Sequence, residues 1–240
     1  MESITIKIAA LSDIHVTEQS KGTFAEIFTN ISKEAQVLVL CGDLTNGGHP
    51  AQAEVLCDEL ASCTIPIVAV LGNHDHEAGH ADEVKSILTK SRITVLDGTT
   101  TEINGVSFAG SKGFCGGFGK YMLASFGEQP IKTFVKESVD ETLRVENAIS
   151  QMTTKRKVLL LHYSPIVDTV RGEPPEIFPF LGSSRLEEPI DRYDVSMVFH
   201  GHAHNGTHQG KTLKNIPVYN VCYSLLRKMD PQKPYKIFEV

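Results

Sequence analysis

Residues 37–43 read VLVLCGD, an apolar run that ends in a glycine and a carboxylate. Its length and its β-branched residues predict a buried strand, with Asp43 at the point where the strand stops. Four more runs of this kind are followed by side chains that can bind metal ions. The five predicted strands are Ile4–Leu11, Val37–Leu40, Ile67–Leu71, Val158–Leu161 and Val195–Phe199. Because open α/β sheets bind ligands at the carboxyl ends of their strands, we expect these polar side chains to form one site.

The first half of the chain alternates predicted strands and helices. Thr23 and Glu26 form a capping-box pattern that predicts the start of one helix. Pro50 is placed to begin a second helix, and residues 81–90 predict a third. This β-α-β-α-β order is typical of an α/β fold with a mostly parallel sheet. No linker or internal repeat interrupts the sequence, so we expect one domain over residues 1–240.

The second half of the chain is organised differently. Asn104-Gly105, between two short apolar segments, predicts a β-hairpin. Ser138 and Glu141 form another capping-box pattern, which predicts a helix from there to about residue 153. Residues 164–190 are irregular and rich in proline. The predicted closing strands are residues 207–209, 218–222 and 236–240.

Composition restricts the class of partner. The formal net charge of −6 argues against a nucleic-acid polymer without excluding it, and it leaves a small anionic substrate open. The five cysteines form no Cys-x-x-Cys pair, which favours free thiols in a reducing compartment. No apolar run has transmembrane length and no signal-peptide pattern is present, so we expect a cytoplasmic protein without a membrane partner. The oligomeric state stays open.

Seven side chains at the predicted strand ends can bind metal ions: Asp13, His15, Asp43, Asn73, His162, His202 and His204. Each of them alone is an ordinary polar residue. Five segments in which an apolar run is followed by such a residue together favour a metal site. Mixed oxygen and nitrogen ligands without sulfur suit manganese, iron or zinc. A carboxylate can bridge two cations, and Asp43 is the natural shared ligand. Two metal ions about 3.5–4 Å apart activate a bridging hydroxide and bind a phosphoryl group.

In these motifs the chain resembles the calcineurin-like metallophosphoesterases. The family pattern is Asp-x-His, Gly-Asp, Gly-Asn-His-Asp/Glu, His and Gly-His-x-His, and here it extends from Asp13 to His204. The resemblance implies a four-layer αββα sandwich of two mixed β-sheets flanked by helices, with a dinuclear site at one edge. The implied ligands of the first metal are Asp13, His15, Asp43 and His204. Those of the second are Asp43, Asn73, His162 and His202.

The same resemblance implies catalytic roles. His74 would stabilise the transition state and protonate the leaving oxygen, which suits an imidazole with a reference pKa of about 6.5. Asp43 and Asn73 would hold metal, and Asn73 would also touch a phosphate oxygen. Family phosphoprotein phosphatases carry arginines near Gly-Asp and Gly-Asn-His that are absent here. Many family phosphodiesterases place an aspartate, which can orient the catalytic histidine, where this chain has the uncharged Asn46, and this leaves the protonation state of His74 open.

We therefore expect a dinuclear hydrolase of a small phosphate ester, and a diester such as a cyclic nucleotide rather than a monoester. A nuclease or nucleotide pyrophosphatase is the alternative of the same fold. A non-catalytic scaffold, like the retromer subunit of this family, is disfavoured because the motif residues are all present. Two segments are candidates for the substrate pocket: Gly110–Gly119 with the region that follows it to Pro130, and Ser164–Ile190. Their aromatic and arginine side chains either bind a base and a phosphate or pack in the protein: Phe114, Phe118, Phe178, Arg171 and Arg185.

Overall fold

The computed structural model describes residues 5–240, which contain eleven strands and eight α-helices. The strands are β1 (Lys7–Leu11), β2 (Val37–Cys41), β3 (Ile67–Val70), β4 (Ile93–Val95), β5 (Thr99–Ile103), β6 (Val106–Gly110), β7 (Lys157–Leu160), β8 (Met197–His200), β9 (Gln209–Lys211), β10 (Pro217–Asn220) and β11 (Lys236–Glu239). The helices are α1 (Ala25–Glu34), α2 (Pro50–Leu60), α3 (Asn73–His76), α4 (Ala81–Lys90), α5 (Gln129–Ser150), α6 (Phe178–Leu181), α7 (Glu187–Arg192) and α8 (Tyr223–Met229).

The strands form two mixed sheets. The first has the order β11-β1-β2-β3-β4, in which β11 is antiparallel to β1 and the other neighbours are parallel. The second has the order β5-β6-β7-β8-β10-β9, with antiparallel strands only at its two edges. The parallel strands of each sheet therefore end on one side, as a shared ligand site requires.

The two sheets pack face to face, with helices on the outside. In β7, Val158 and Leu160 belong to the core cluster shared with the first sheet, whereas Leu159 lies in the cluster on the α5 side. This alternation is the period of two of a strand buried on both faces. Helices α1, α2 and α4 cover the first sheet, while α5 and α7 cover the second. The expected αββα layers are confirmed.

Most predicted elements are confirmed within two or three residues of their bounds. Helix α2 begins at Pro50, α4 covers residues 81–90, and the Asn104-Gly105 hairpin joins β5 to β6. The predicted start of the first strand, at Ile4, lies outside the described residues. The sequence predicts no element for α3 or α8, and α6 and the start of α7 lie in residues 164–190, which were predicted to be irregular.

The capping box predicted at Thr23 is wrong. Helix α1 begins at Ala25, and no side chain of its own N-terminus caps it. Glu59 of α2, only 4% exposed, instead accepts hydrogen bonds from the backbone N–H groups of Phe24 (2.7 Å), Ala25 (2.9 Å) and Gly22. A buried carboxylate at a helix N-terminus also interacts favourably with the helix dipole, so it replaces the local cap.

The helix start predicted at Ser138 is also wrong. Helix α5 begins at Gln129, where Pro130 supplies the start signal, so Ser138 and Glu141 lie in its middle. Both face inward, and Glu141 accepts a hydrogen bond from the Ser111 hydroxyl at 2.7 Å. The spacing of the two residues reflects burial here rather than capping.

The carboxyl ends of β1, β2, β3, β7 and β8 meet at one edge of the sandwich. Backbone hydrogen bonds join the loops within each sheet, from Asp13 N to Gly42 O (3.0 Å) and from Gly201 N to His162 O (3.1 Å). Among residues 5–240, no helix combines the length and the apolar character needed to span a bilayer.

Candidate metal centre

Two groups of potential metal ligands meet at this edge and share one carboxylate. Within each group the ligand atoms all lie within 4.8 Å of one another. The groups are Asp13, His15, Asp43 and His204, and Asp43, His162 and His202. Asn73 adjoins the second group, with its Oδ1 2.9 Å from His162 Nε2. The structure thus brings together all seven residues predicted as ligands.

In the first group, imidazole nitrogens converge on carboxylate oxygens. His204 Nε2 lies 3.0 Å from Asp13 Oδ1 and 3.4 Å from His15 Nε2. His15 Nε2 lies 3.9 Å from Asp43 Oδ2. Burial lowers the pKa of His15 to about 4, so this ring is neutral near pH 7 and offers a lone pair. Such a set of atoms can surround a cation.

Asp13 is held in one orientation by buried donors. The Ser12 hydroxyl and the Cys222 thiol (3.0 Å) both donate to its Oδ2, which leaves Oδ1 facing His204. Burial alone would raise the pKa of Asp13, but the hydrogen bond from His204 and the electrostatic interactions with His162 and His204 outweigh it and lower this pKa. Burial raises the pKa of Cys222 well above its usual value, so this sulfur remains a thiol donor.

In the second group, hydrogen bonds select which ring nitrogens are free. His162 Nδ1–H donates to the Cys41 carbonyl (3.0 Å), so its Nε2 faces Asn73 Oδ1 and Asp43 Oδ1 (3.3 Å). All three atoms are acceptors when the ring is neutral, so their approach requires a proton or a cation among them. His202 Nε2–H donates to the Phe180 carbonyl at 3.2 Å, which leaves Nδ1 as a ligand. Burial lowers the pKa of His202 to about 3.

The backbone around the centre is strained. Asp13, His15, Asp43 and His202 have φ angles of 55°, 46°, 48° and 70°, in the left-handed region that side chains other than glycine rarely adopt. Such conformations cluster at functional sites.

Close approach also explains two of the glycines. A Cβ at Gly72 would collide with the Asp43 carboxylate, and one at Gly201 would collide with the Asp13 carboxylate. Only glycine therefore fits at these two positions.

Asp75 connects two of the ligand-bearing loops. It is fully buried, and its carboxylate accepts hydrogen bonds from the backbone N–H groups of Leu44 (3.2 Å), Thr45 (2.8 Å) and Gly72 (2.8 Å). The loops that carry Asp43 and Asn73 are therefore fixed relative to each other.

His74 lies beside the two groups without belonging to either. Its backbone N–H donates to Asp43 Oδ1 (2.9 Å), and its Nδ1–H donates to the carbonyl of Asn46 (2.7 Å). Its Nε2 lies 4.0 Å from Asp43 Oδ2, and the side chain is 36% exposed. The backbone of Asn46, rather than its side chain, thus orients the ring.

The donor set fits two cations. It contains carboxylate and amide oxygens with imidazole nitrogens, and it places Asp43 between two clusters. Oxygen and nitrogen donors of this kind suit manganese, iron or zinc.

The residues considered for a substrate pocket are mostly engaged in packing. Phe114 packs on Phe134 and Tyr163, with ring centroids 5.2 and 5.8 Å apart. Phe118 is buried, and Phe178 packs against the same small cluster. Arg185 donates to the Leu123 carbonyl (2.8 Å), and Arg171 pairs with Asp168 (2.9 Å).

Phe180 was not among the aromatic residues that the sequence indicated as candidates for the substrate pocket. Its carbonyl contacts His202, and its side chain is 56% exposed. The sequence Phe178-Pro179-Phe180 has no periodic pattern that tells which ring is buried, so no local signal separated the two.

Comparisons with known proteins agree with the motifs. The sequence profile described as calcineurin-like phosphoesterase matches residues 6–206. A Synechococcus sp. protein named as a probable cyclic nucleotide phosphodiesterase is 24% identical, over 88% of this chain and 78% of its own length.

Solved structures with the same fold include TT1561 of Thermus thermophilus, with a TM-score of 0.55 and 15% identity over 91% of this chain and 89% of that one. GAP50, titled the anchor in the inner membrane complex of Plasmodium, has a TM-score of 0.54 and 14% identity, over 92% of this chain and 73% of its own. Likeness at such identity supports the fold alone. The profile match covers most of the chain and confirms the resemblance, so this protein belongs to the calcineurin-like phosphoesterase family and is a phosphoric ester hydrolase.

Proposed function

We propose that this protein hydrolyses a small phosphodiester of the cyclic nucleotide class at a pair of divalent cations. The observation that carries the proposal is the convergence of two ligand groups on one shared carboxylate, Asp43. The Synechococcus relative, named as a probable cyclic nucleotide phosphodiesterase, supports the substrate class.

We assign the ligands as the geometry groups them. Asp13, His15, Asp43 and His204 would hold one cation, and Asp43, Asn73, His162 and His202 the other. Manganese, iron or zinc fits these donors. When bound, two such cations lower the pKa of water and neutralise charge on a phosphoryl group.

His74 is the catalytic acid in this proposal. The Asn46 carbonyl holds its Nδ1–H, so its Nε2 is the atom free to donate a proton to the leaving oxygen. The ring is partly exposed, so substrate can reach it.

We place the protein in the cytoplasm. Its five cysteines are all free, and three of them are buried: Cys41, Cys115 and Cys222. Buried free thiols are typical of a reducing compartment.

The test compares substrates on chelator-treated protein reloaded with manganese. We expect turnover of bis(p-nitrophenyl) phosphate and 2′,3′-cyclic AMP, slower turnover of p-nitrophenyl phosphate, and loss of each activity with chelator. A clear preference for the monoester would contradict the diester proposal.

The same assay separates the alternatives. Faster cleavage of single-stranded DNA would favour a nuclease, and faster cleavage of a nucleotide diphosphate conjugate would favour a pyrophosphatase. No turnover of any substrate by protein that holds two metal ions per chain would favour a scaffold.

A further inference from the structure

A residue with an exposed aromatic side chain contacts the second ligand group through its backbone carbonyl. The Phe180 carbonyl accepts the hydrogen bond from His202 Nε2 at 3.2 Å, which places this residue in contact with the candidate centre. Its neighbours Phe178 and Leu181 pack against a cluster that includes Ala203, which lies between the two histidines of the last motif. Phe180 does not join that cluster, and its side chain is 56% exposed.

The backbone that carries this ring is held on both sides. Pro179 O accepts from Gly116 N at 2.8 Å, and Leu181 O accepts from Ser164 N at 3.0 Å. A ring on a fixed backbone binds a ligand with a smaller loss of conformational entropy than one on a mobile loop. The backbone of Phe180 is therefore fixed before any ligand binds.

The other exposed aromatic residues make no such contact with the candidate ligands. Among residues 5–240, the largely exposed aromatic side chains are those of Tyr121, Phe126 and Phe180. No hydrogen bond or ring contact joins Tyr121 or Phe126 to any of the seven candidate ligands. Phe114 and Phe118 are engaged in packing.

We propose that Phe180 determines substrate specificity by stacking on the nucleobase of an ester whose phosphate is held at the metal centre. This inference rests on the proposed function. Base–aromatic stacking contributes enough to change affinity by about 10- to 100-fold per base. The ribose separates base from phosphate, so the base lies beside the ligand groups rather than within them.

The first test uses fluorescence. The chain has no tryptophan, so Phe180→Trp introduces a single fluorophore at the proposed stacking position. With manganese-loaded protein, we expect AMP to quench this fluorescence and ribose 5-phosphate, which lacks a base, to leave it unchanged. The matched control is Leu213→Trp, because Leu213 is 87% exposed and precedes β10 at the end opposite the ligand groups. Equal responses of the two variants to AMP would overturn the proposal.

The second test measures affinity by calorimetry on manganese-loaded protein. Phe180→Ala retains the carbonyl that contacts His202, and we expect it to weaken AMP binding about 10- to 100-fold while ribose 5-phosphate binds as before. Phe180→Tyr should restore AMP binding.

The outcomes separate this inference from the proposed function. Equal binding of AMP and ribose 5-phosphate to the wild-type protein would overturn the stacking role and leave the phosphate site standing. Equal weakening of both ligands by Phe180→Ala would overturn it too, because the ring would then support the centre. Binding of neither ligand by wild-type protein holding two metal ions would instead contradict the proposed function and remove the basis of this inference.

Discussion

Asp43 connects the two ligand groups, and no other residue belongs to both. Its two oxygens face different partners: Oδ1 lies 3.3 Å from His162 Nε2, and Oδ2 lies 3.9 Å from His15 Nε2. An amide in its place offers one oxygen and no charge. We therefore predict that Asp43→Asn lowers the metal content from two ions per chain to one or none, as measured by elemental analysis.

The control for that variant is Asp58→Asn, which changes an exposed carboxylate of α2 and should keep both metal ions. Retention of two ions by Asp43→Asn would show that this carboxylate is not the shared ligand.

Replacing His74 is expected to reduce turnover without changing metal binding. It contacts Asp43 through its backbone N–H, which the alanine variant retains. We predict that His74→Ala keeps two metal ions and lowers kcat about 10²- to 10⁴-fold, the usual contribution of a general acid. His80→Ala, at an exposed position, is the matched control. Activity within a few-fold of wild type in His74→Ala would remove the ring from the mechanism.

Cys222 acts through Asp13 rather than on the substrate. Its buried thiol donates to Asp13 Oδ2 at 3.0 Å and helps to fix the oxygen that faces His204. Partners of this kind usually change metal affinity 10- to 100-fold. We predict that Cys222→Ala weakens manganese binding by about that factor in a competition titration, whereas Cys57→Ala does not. Unchanged affinity in Cys222→Ala would mean that the Ser12 hydroxyl and the backbone N–H of His202 orient this carboxylate without the thiol.

At the scale of elements, α1 depends on a carboxylate from α2. Glu59 accepts hydrogen bonds from three backbone N–H groups around the start of α1 and is itself buried. We predict that Glu59→Ala lowers the free energy of unfolding by about 2–3 kcal/mol, because three backbone donors, of which that of Phe24 is buried, lose a charged partner. Urea denaturation measures this change, with Glu54→Ala on the exposed side of α2 as control. A loss within about 0.5 kcal/mol, that of an ordinary surface substitution, would contradict the capping role.

Apolar runs predicted the strands of this fold more reliably than capping-box patterns predicted the helix starts. The apolar runs that became β2, β3 and β7 were identified because a strand buried on both faces has a distinctive local composition. The capping box at Thr23 failed because Glu59, on another helix, binds the N–H groups at the start of α1. The one at Ser138 failed because Ser138 and Glu141 are buried in the middle of α5. Helices α3, α6, α7 and α8 were not predicted.

At the scale of the whole molecule, the convergence of the seven predicted side chains could be expected from the sequence because they follow strand ends. What the sequence could not show is how side chains beyond the motifs support them. The donation from Cys222 to Asp13 joins residues far apart in the chain. The orientation of His74 by the Asn46 carbonyl depends on backbone geometry that side-chain identity does not reveal. Phe180 becomes a candidate only once Phe178 and Leu181 are seen to pack in the small cluster around Ala203.

The most direct test of the central claim is a crystal grown with manganese and measured near the manganese absorption edge. We predict two anomalous peaks per chain about 3.5–4 Å apart, with Asp43 between them. Asp13, His15 and His204 should surround one peak, and the other should lie against Asn73, His162 and His202. A single peak, or two peaks that do not share Asp43, would contradict the account.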